Sequence, residues 1–412
     1  MRILFITHYF QPEPNFFFGL PFAKELVRRG HQVEVITGFP NYPGGKIYDG
    51  YKIKLFQKEI MDGITVYRFP LYPSHDRSSL KRILCYASLS VSMALMAPWI
   101  VSRADVAYVV QGPATLGWPA IILKWFRHIP FVYNIQDIWP DSLLSTGMFN
   151  KGFAYKIIDA WCKFVYARAS VVSVIAPGMK KMLVKRGVPQ DKIEVLYNWC
   201  DEELVCRVDR DENLSRQLGF SGKFNIVFAG NMGKAQALEA VVKAAAIVQP
   251  EYPDIQFVFI GSGVEVEKLQ SLVKQKQLTN VLFIPRKPVS EIGPILSLAD
   301  MLLVHLRKDP LFAITIPSKT QAYLASGRPV LMAVEGDAAN LINQAQAGIS
   351  CEPENPNAIA EAIKEAYNMT PLQRQQLGEN GRKYYDNQLS FSVAVNNYEQ
   401  LFEKLTGNID KA

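Results

Sequence analysis

Cysteine is scarce and scattered in this chain. Cys85, Cys162, Cys200, Cys206 and Cys351 are odd in number, and none forms a CxxC pair. That spacing argues against a disulfide framework or a zinc site and fits a reducing cytoplasm. The dinucleotide signature GxGxxG is missing: the first strand is followed by His8-Tyr9-Phe10-Gln11-Pro12-Glu13-Pro14. A GxxxxGK[ST] loop is missing too, which disfavours P-loop phosphoryl transfer. Basic residues do not run together with stacking aromatics, so the formal charge of +7 gives no nucleic-acid module. It suits phosphate-bearing ligands or an anionic lipid surface instead. No tandem repeat or low-complexity tract breaks the chain. The start, Met1-Arg2-Ile3-Leu4-Phe5-Ile6-Thr7, has one basic residue and a short apolar run; it reads as a strand rather than a signal peptide.

Hydrophobic residues make up 49% and charged residues 20%, the balance of a folded protein. A chain of 412 residues is too long for one ordinary core, so two domains are expected. Short apolar runs alternate with helical patterns throughout. Strands are predicted at 3–7, 33–37, 64–69, 106–110, 131–135, 171–175 and 193–196. After a polar stretch at 201–223, taken as the hinge, they recur at 225–229, 256–260, 281–284, 301–305 and 329–333. Helices between strands imply parallel crossovers. The predicted fold is therefore α/β: two Rossmann-like, doubly wound parallel sheets facing a cleft. Residues 1–200 form one domain, 201–390 the second, and 391–412 a last helix.

One uncharged stretch, residues 83–101, is nearly long enough to cross a bilayer. Ser88, Ser90 and Ser92 interrupt it, and Pro98 sits near its end. Arg77, Lys81 and Arg82 precede it and Arg103 follows. A buried or surface-lying helix is expected, docking on anionic lipid being one use of such flanks and full burial the other. The lysines from Lys151 to Lys192 add to that expectation.

The most informative segment is Phe228-Ala229-Gly230-Asn231-Met232-Gly233-Lys234. Strand, glycine turn and helix start present backbone N–H groups to an anion, and Lys234 adds a mobile charge. An ordinary turn needing glycine for its φ angle has the same sequence. Two further loops follow strand ends: Gly261-Ser262-Gly263, and Leu306 through Arg307-Lys308-Asp309 to Ile316-Pro317-Ser318-Lys319. Ser318 is expected to cap the next helix. Lys319 in its first turn opposes the helix dipole, which a bound anion would relieve. In the first half, Tyr133-Asn134-Ile135-Gln136-Asp137-Ile138-Trp139-Pro140-Asp141 ends a strand with an amide, two carboxylates and an indole. Asp137 suits orienting a sugar hydroxyl or assisting proton transfer, and Trp139 suits stacking on a sugar; an Asp cap over a buried Trp reads equally well. His8 lies past the first strand, and Phe16-Phe17-Phe18 reads as core or as an apolar lip for a lipid acceptor.

These residues resemble a family. Leu26-Val27-Arg28-Arg29-Gly30-His31-Gln32-Val33, Gly38-Phe39-Pro40-Asn41-Tyr42-Pro43, Gln136-Asp137-Ile138-Trp139-Pro140-Asp141 and Asn198-Trp199 carry the likeness. So do Gly230-Asn231-Met232-Gly233-Lys234-Ala235-Gln236, Pro317-Ser318-Lys319 and Tyr323-Leu324-Ala325-Ser326-Gly327-Arg328-Pro329. The chain resembles the GT-B glycosyltransferases of family 4, and within them the L-fucosamine transferases of bacterial O-antigen assembly. The resemblance implies sugar transfer from a nucleoside-diphosphate sugar, with retained anomeric configuration, no required metal and no cofactor. Donor would bind the second domain and acceptor the first, with the last helix crossing back. The basic pair that holds the diphosphate falls on Asn231 and Lys234, so only the lysine is kept. The paired glutamates fall on Ile314 and Ala322, and the cleft histidine on Gln136. Donor contacts are therefore expected from Gly230, Asn231, Gly233, Lys234, Gly261, Gly263, Ser318, Lys319 and Tyr323. Acceptor contacts are expected from His8, Phe17, Gly19, Gln136 and Trp139, with Asp137 and Lys234 catalytic. The implied partners are a UDP-sugar, a polyprenyl-diphosphate-linked sugar and the anionic inner face of the bacterial inner membrane. A UDP-sugar 2-epimerase and a non-catalytic sugar- or lipid-binding protein are the rival readings.

Overall fold

The computed structural model describes residues 1–15, 17–74, 79–145 and 152–407. The chain forms two compact units, Met1–Leu196 with Val395–Ala412, and Tyr197–Ala394. The division after Leu196 falls just before the polar stretch read as the hinge. That stretch is not all linker: Glu212–Leu218 is a helix whose Asp211 carboxylate accepts the N–H groups of Asn213 and Leu214 at 2.8 and 3.2 Å.

The first unit is built on eight strands: β1 Arg2–Ile6, β2 Gln32–Gly38, β3 Gln57–Met61, β4 Ile64–Phe69, β5 Val106–Gln111, β6 Phe131–Ile135, β7 Val171–Val174 and β8 Ile193–Val195. Their order is β3-β4-β2-β1-β5-β6-β7-β8. Every pair is parallel except β3–β4. Helices cover both faces, so the central strands are buried throughout, as in Val106–Gln111. The edge strand β3 has no apolar run to mark it: it opens Gln57-Lys58-Glu59 and buries none of its residues. Its signal was the Asp-Gly turn: Asp62 and Gly63 have φ of 48° and 81°, the left-handed pair that joins a tight hairpin. The chain winds outward from β1 on one side and from β5 on the other. The switch point lies beyond the carboxyl ends of those two strands.

The last helix, Phe391–Gly407, sends Tyr398 into an aromatic core of this unit with Phe18, Phe22 and Tyr108. Glu399 accepts from Arg29 at 2.8 Å and faces His31 at 2.7 Å. Arg29 and His31 flank Gly30, whose φ of 91° closes the helix Leu20–Arg28.

The second unit holds β9 Phe224–Ala229, β10 Ile255–Gly261, β11 Val281–Pro285, β12 Met301–His305, β13 Val330–Ala333 and β14 Gly348–Ser350. All pairs are parallel, in the order β11-β10-β9-β12-β13-β14. Helices Glu239–Val248 and Pro356–Asn368 bury their apolar faces on one side of the sheet. Here the winding reverses between β9 and β12, which puts their following loops at the switch point.

Candidate functional site

The loops of the second unit meet at the tip of β9. Gly230, Gly261 and Gly263 have φ of 139°, 140° and 157°. A β-carbon on Gly261 would lie 2.0 Å from the Gly230 carbonyl oxygen, and one on Gly263 would lie 2.2 Å from that of Met232. The loop after β10 is thus stacked backbone on backbone against the loop after β9, and glycine is needed for space as well as for φ. A β-carbon on Gly230 would lie 2.6 Å from Cε of Lys319. Sequence positions 230, 261 and 319 are therefore in one place.

The amides tell a different story from the one expected. Gly230 N–H donates to Ile260 O and Met232 N–H to Ser262 O, each at 2.8 Å. Gly233 N–H donates to Oε1 of Gln236 at 3.0 Å. Three of the four amides in the expected cradle are thus spent on protein acceptors. Asn231 N–H alone is left without one among the described residues. The glycine turn fixes the loop; the positive charge comes from side chains.

Lys319 is the centre of that charge. Its Nζ sits 4.0 Å above the ring of Phe228, and no carboxylate or acceptor engages it among the described residues. Burial without a counter-ion pushes the ammonium down to about 8. Lys234 is exposed and makes no ion pair among the described residues. The other basic groups of the third loop are neutralised: Arg307 pairs with Asp309 at 3.0 Å, and Lys308 with Glu335 and Glu352 at 3.1 and 3.2 Å. An unpartnered, partly desolvated ammonium at a strand tip is an arrangement that an anion relieves.

Tyr323 has another place than the one expected, and Ser318 is not the expected cap. Tyr323 is buried, and its hydroxyl accepts Ala229 N–H at 3.0 Å, so it holds the end of β9 from beneath. Ser318 is exposed and is the first residue of the helix Ser318–Ala325; the cap position is Pro317, with no side-chain cap bond. Local patterning could not show either, because both depend on where the loop enters the helix.

His305, the last residue of β12, was missed. It is 1% exposed. Its Nδ1 lies 2.6 Å from Gln236 O, and its Nε2 accepts Glu354 N–H at 3.1 Å. The first contact needs a proton on Nδ1 and the second needs Nε2 bare, so the ring is neutral, and burial pushes its pKa down. His305 ties the 230–236 loop to the segment after β14. A histidine ending a strand in register with the glycine loop was the available signal.

In the first unit, the switch point gathers His8 and Gly112: a β-carbon on Gly112 would lie 3.7 Å from Cβ of His8. His8 is 2% exposed, with Tyr9 and Tyr86 edge-on at 4.3 and 5.2 Å. It is thus a buried wall of the strand end. Gln136 donates to Asn134 Oδ1 at 2.6 Å, and Asn134 donates to Tyr398 at 2.9 Å. Asp137 is held through its backbone by Gln111, 3.1 Å away, while its carboxylate meets no donor among the described residues. The residue is exposed overall, yet its crowded surroundings remove enough hydration to push the carboxyl above the usual aspartate range. Trp139 is half-buried; its carbonyl accepts from Arg186 at 3.2 Å, and Arg186 also pairs with Asp141.

The three phenylalanines divide. Phe18 is core, at 5.4 Å from Tyr108, Phe17 is half-buried, and Phe16 lies outside the described residues. Gly19 caps the helix Leu20–Arg28; a β-carbon there would lie 2.1 Å from Asn15 O. Two more residues escaped the sequence reading. Glu13 is fully buried and accepts the N–H groups of Asn41 and Tyr42, each at 2.8 Å. Arg68, also fully buried, pairs with Glu59 and donates to Gly38 O at 3.1 Å. They fix the loops after β1 and β2 in the way buried charges must, with their bonds satisfied.

Residues 20–199 match the glycosyl transferase 4-like domain, and residues 209–384 match the glycosyl transferases group 1 domain. A Pseudomonas aeruginosa protein assigned as glycosyltransferase WbjE is 27% identical over 300 residues, 70% of this chain and 74% of its own. An Escherichia coli protein assigned to colanic acid biosynthesis, the glycosyl transferase WcaI, is 29% identical over 355 residues, 83% of this chain and 85% of its own. Among solved structures, Anabaena HepE in complex with UDP has a TM-score of 0.70 at 15% identity, covering 98% of this chain and 100% of that one. At that identity the likeness is one of fold: both units have the Rossmann-like sheets of the GT-B class.

Proposed function

Since the chain belongs to the family 4 glycosyltransferases, we propose that it moves a sugar from a UDP-sugar to a polyprenyl-diphosphate-linked acceptor in O-antigen or capsule synthesis. The resemblance to the WbuB-type L-fucosamine transferases points to N-acetyl-L-fucosamine or a related amino-deoxy sugar as the group moved. Transfer is metal-independent and retaining in this reading, at the cytoplasmic face of the inner membrane. The second unit takes the donor and the first the acceptor. The observation that carries the donor side is the ammonium of Lys319, held 4.0 Å over Phe228 with no counter-charge among the described residues, beside the glycine-stacked tip of β9. HepE, a protein of the same fold, is described in complex with UDP and with UDP-glucose, which supports a uridine nucleotide as the carrier of the donor sugar.

The new glycosidic bond forms between an acceptor hydroxyl oxygen and the anomeric carbon, while the bond from that carbon to the diphosphate breaks. Charge then gathers on the leaving diphosphate. Lys319, Lys234 and the Asn231 amide stabilise it, more strongly in the departing state than in the intact donor. Asp137 orients the acceptor hydroxyl or accepts its proton. His305, Gln236 and Tyr323 keep the loop in place. His8, Phe17, Gly19, Gln136 and Trp139 are the acceptor side of this reading, His8 and Gly19 as shaping groups.

A panel of nucleotide sugars, read by protection against thermal unfolding, identifies the donor. Purified protein given that donor and a lipid-linked sugar is expected to make a glycosylated lipid, unchanged by a chelator. Lys234→Ala is expected to lower kcat/KM at least about tenfold with no change in Tm, because Lys234 is exposed and makes no ion pair among the described residues. Full activity in that variant, or epimerised donor in place of lipid product, would remove the proposal.

A further inference from the structure

We infer that three helices of the first unit form a single face that embeds in the headgroup region of an anionic bilayer. Helix Ser79–Ile100 is long and apolar enough to cross a membrane. It does not stand free, since Cys85, Leu89, Met93 and Ala97 are buried along one side. The opposite side carries Leu80, Leu84, Val91, Leu95 and Trp99, all exposed, spaced four or seven apart. That spacing keeps them on one stripe along about 30 Å of helix. Trp99 is 85% exposed.

The stripe has neighbours. Helix Gly117–Arg127 packs against helix Ser79–Ile100 and presents Trp118, Trp125 and Phe126 to solvent. Helix Phe153–Arg168 lies against it, with Trp161 stacked on Trp118 at 5.5 Å, and exposes Phe153, Ile157 and Phe164. Phe153 is 81% exposed. Arg168 joins the last two helices, its guanidinium 6.0 Å from the ring of Trp125 and 5.2 Å from that of Phe164. An apolar area shared by three helices and rich in tryptophan is not ordinary protein surface.

Charge decides the occupant. Residues 79–103, 117–128 and 152–168 carry eight basic side chains, Lys81, Arg82, Arg103, Lys124, Arg127, Lys156, Lys163 and Arg168, against one acidic, Asp159. A second copy of this chain, meeting the face by two-fold symmetry, would set like charge against like. Lys163 pairs with Asp159, and Lys124 and Arg127 donate to backbone carbonyls, so the excess of positive charge on the face stays uncompensated by carboxylates among the described residues; anionic headgroups balance it while the tryptophans settle at the level where lipid meets water. The helix Ser79–Ile100 therefore lies along the surface, with its inner side kept in the protein. The inference deepens the membrane-side acceptor of the function proposed above, but it stands on this face and not on the donor loops.

The test is flotation of the full-length protein with vesicles of phosphatidylglycerol and phosphatidylethanolamine, beside vesicles of phosphatidylcholine alone. Wild type is expected to float with the anionic vesicles, and lipids brominated near the headgroup are expected to quench its tryptophan fluorescence. The variant Trp99→Ser, Phe126→Ser, Phe153→Ser removes side chains that are already exposed, so its Tm and UDP affinity should hold while vesicle binding falls at least about tenfold. Absence of wild-type flotation would overturn the inference, as would equal flotation of the variant. So would a wild-type dimer in light scattering that the variant dissociates, since a second copy would then be the occupant. Failure to bind any nucleotide sugar would count against the proposed function and leave this face untouched.

Discussion

Replacing Lys319 by methionine should stabilise the protein and weaken its donor binding at once. The ammonium is held over Phe228 with no counter-ion among the described residues, and burial takes it from 10.5 to about 8. At about 1.4 kcal/mol per pH unit, keeping it charged at pH 7 costs at most about 3.5 kcal/mol, reduced by the side chain's residual solvation and by the ring beneath. Methionine fills the same channel without charge. The apo protein should gain roughly 1–3 kcal/mol, a rise of about 2–4 °C in Tm per kcal/mol for a unit of this size. Loss of a charge-assisted bond to the diphosphate should weaken UDP by about 1.5–3 kcal/mol, roughly tenfold to a hundredfold in Kd.

Protonation of Lys319 links stability and binding to pH. A folded-state pKa below the unfolded value means that the unfolded chain holds the extra proton between about pH 8 and 10.5, so apo stability rises with pH in that window. Binding runs the other way. A bound diphosphate keeps Lys319 protonated, so above pH 8 binding must take up a proton, and affinity at pH 9 should be about a tenth of that at pH 7. Calorimetry with UDP across this range, and thermal scans of both proteins, measure all of it. A Lys319→Met protein with lower Tm and unchanged UDP affinity, or a wild type with no pH dependence, would refute the reasoning.

Gly263→Ala puts a β-carbon 2.2 Å from Met232 O at a φ of 157°, so the stacked loops must part; Tm should fall by several degrees and UDP affinity with it, read by thermal shift and calorimetry. His305→Ala removes two bonds to buried backbone groups and should cost about 2–4 kcal/mol in urea unfolding. Burial lowers the histidine's folded pKa below the unfolded 6.5, so wild-type stability falls as pH drops through that interval, and the variant should lose that part of the slope. Asp137→Asn should cut kcat about a hundredfold and leave UDP binding within about twofold. It should also abolish the acid limb of the wild-type rate profile, which the raised carboxyl pKa sets.

Much of the fold was legible from periodicity. Strands such as β4, β6 and β12 and the helix Glu239–Val248 carry contiguous apolar runs or a helical stripe, and they lie where the pattern put them. Strand β3, with no buried residue, defeats that signal, because an edge strand has little to bury and only its Asp-Gly turn marks it. The helix Phe391–Gly407 was legible as amphipathic, and its packing of Tyr398 among Phe18, Phe22 and Tyr108 follows from the aromatic face it carries.

The sequence by itself determined the glycine loops at the ends of β9 and β10 and the presence of lysines near them, since φ preferences and apolar runs are local properties. Only tertiary structure decided what those groups do. It spent the amides of Gly230, Met232 and Gly233 on neighbouring acceptors, turned Tyr323 inward, and neutralised Arg307 and Lys308 while leaving Lys319 without a counter-charge among the described residues. Hydration and Coulomb energy depend on distances between residues far apart in the chain, and a linear order of side chains does not contain those distances.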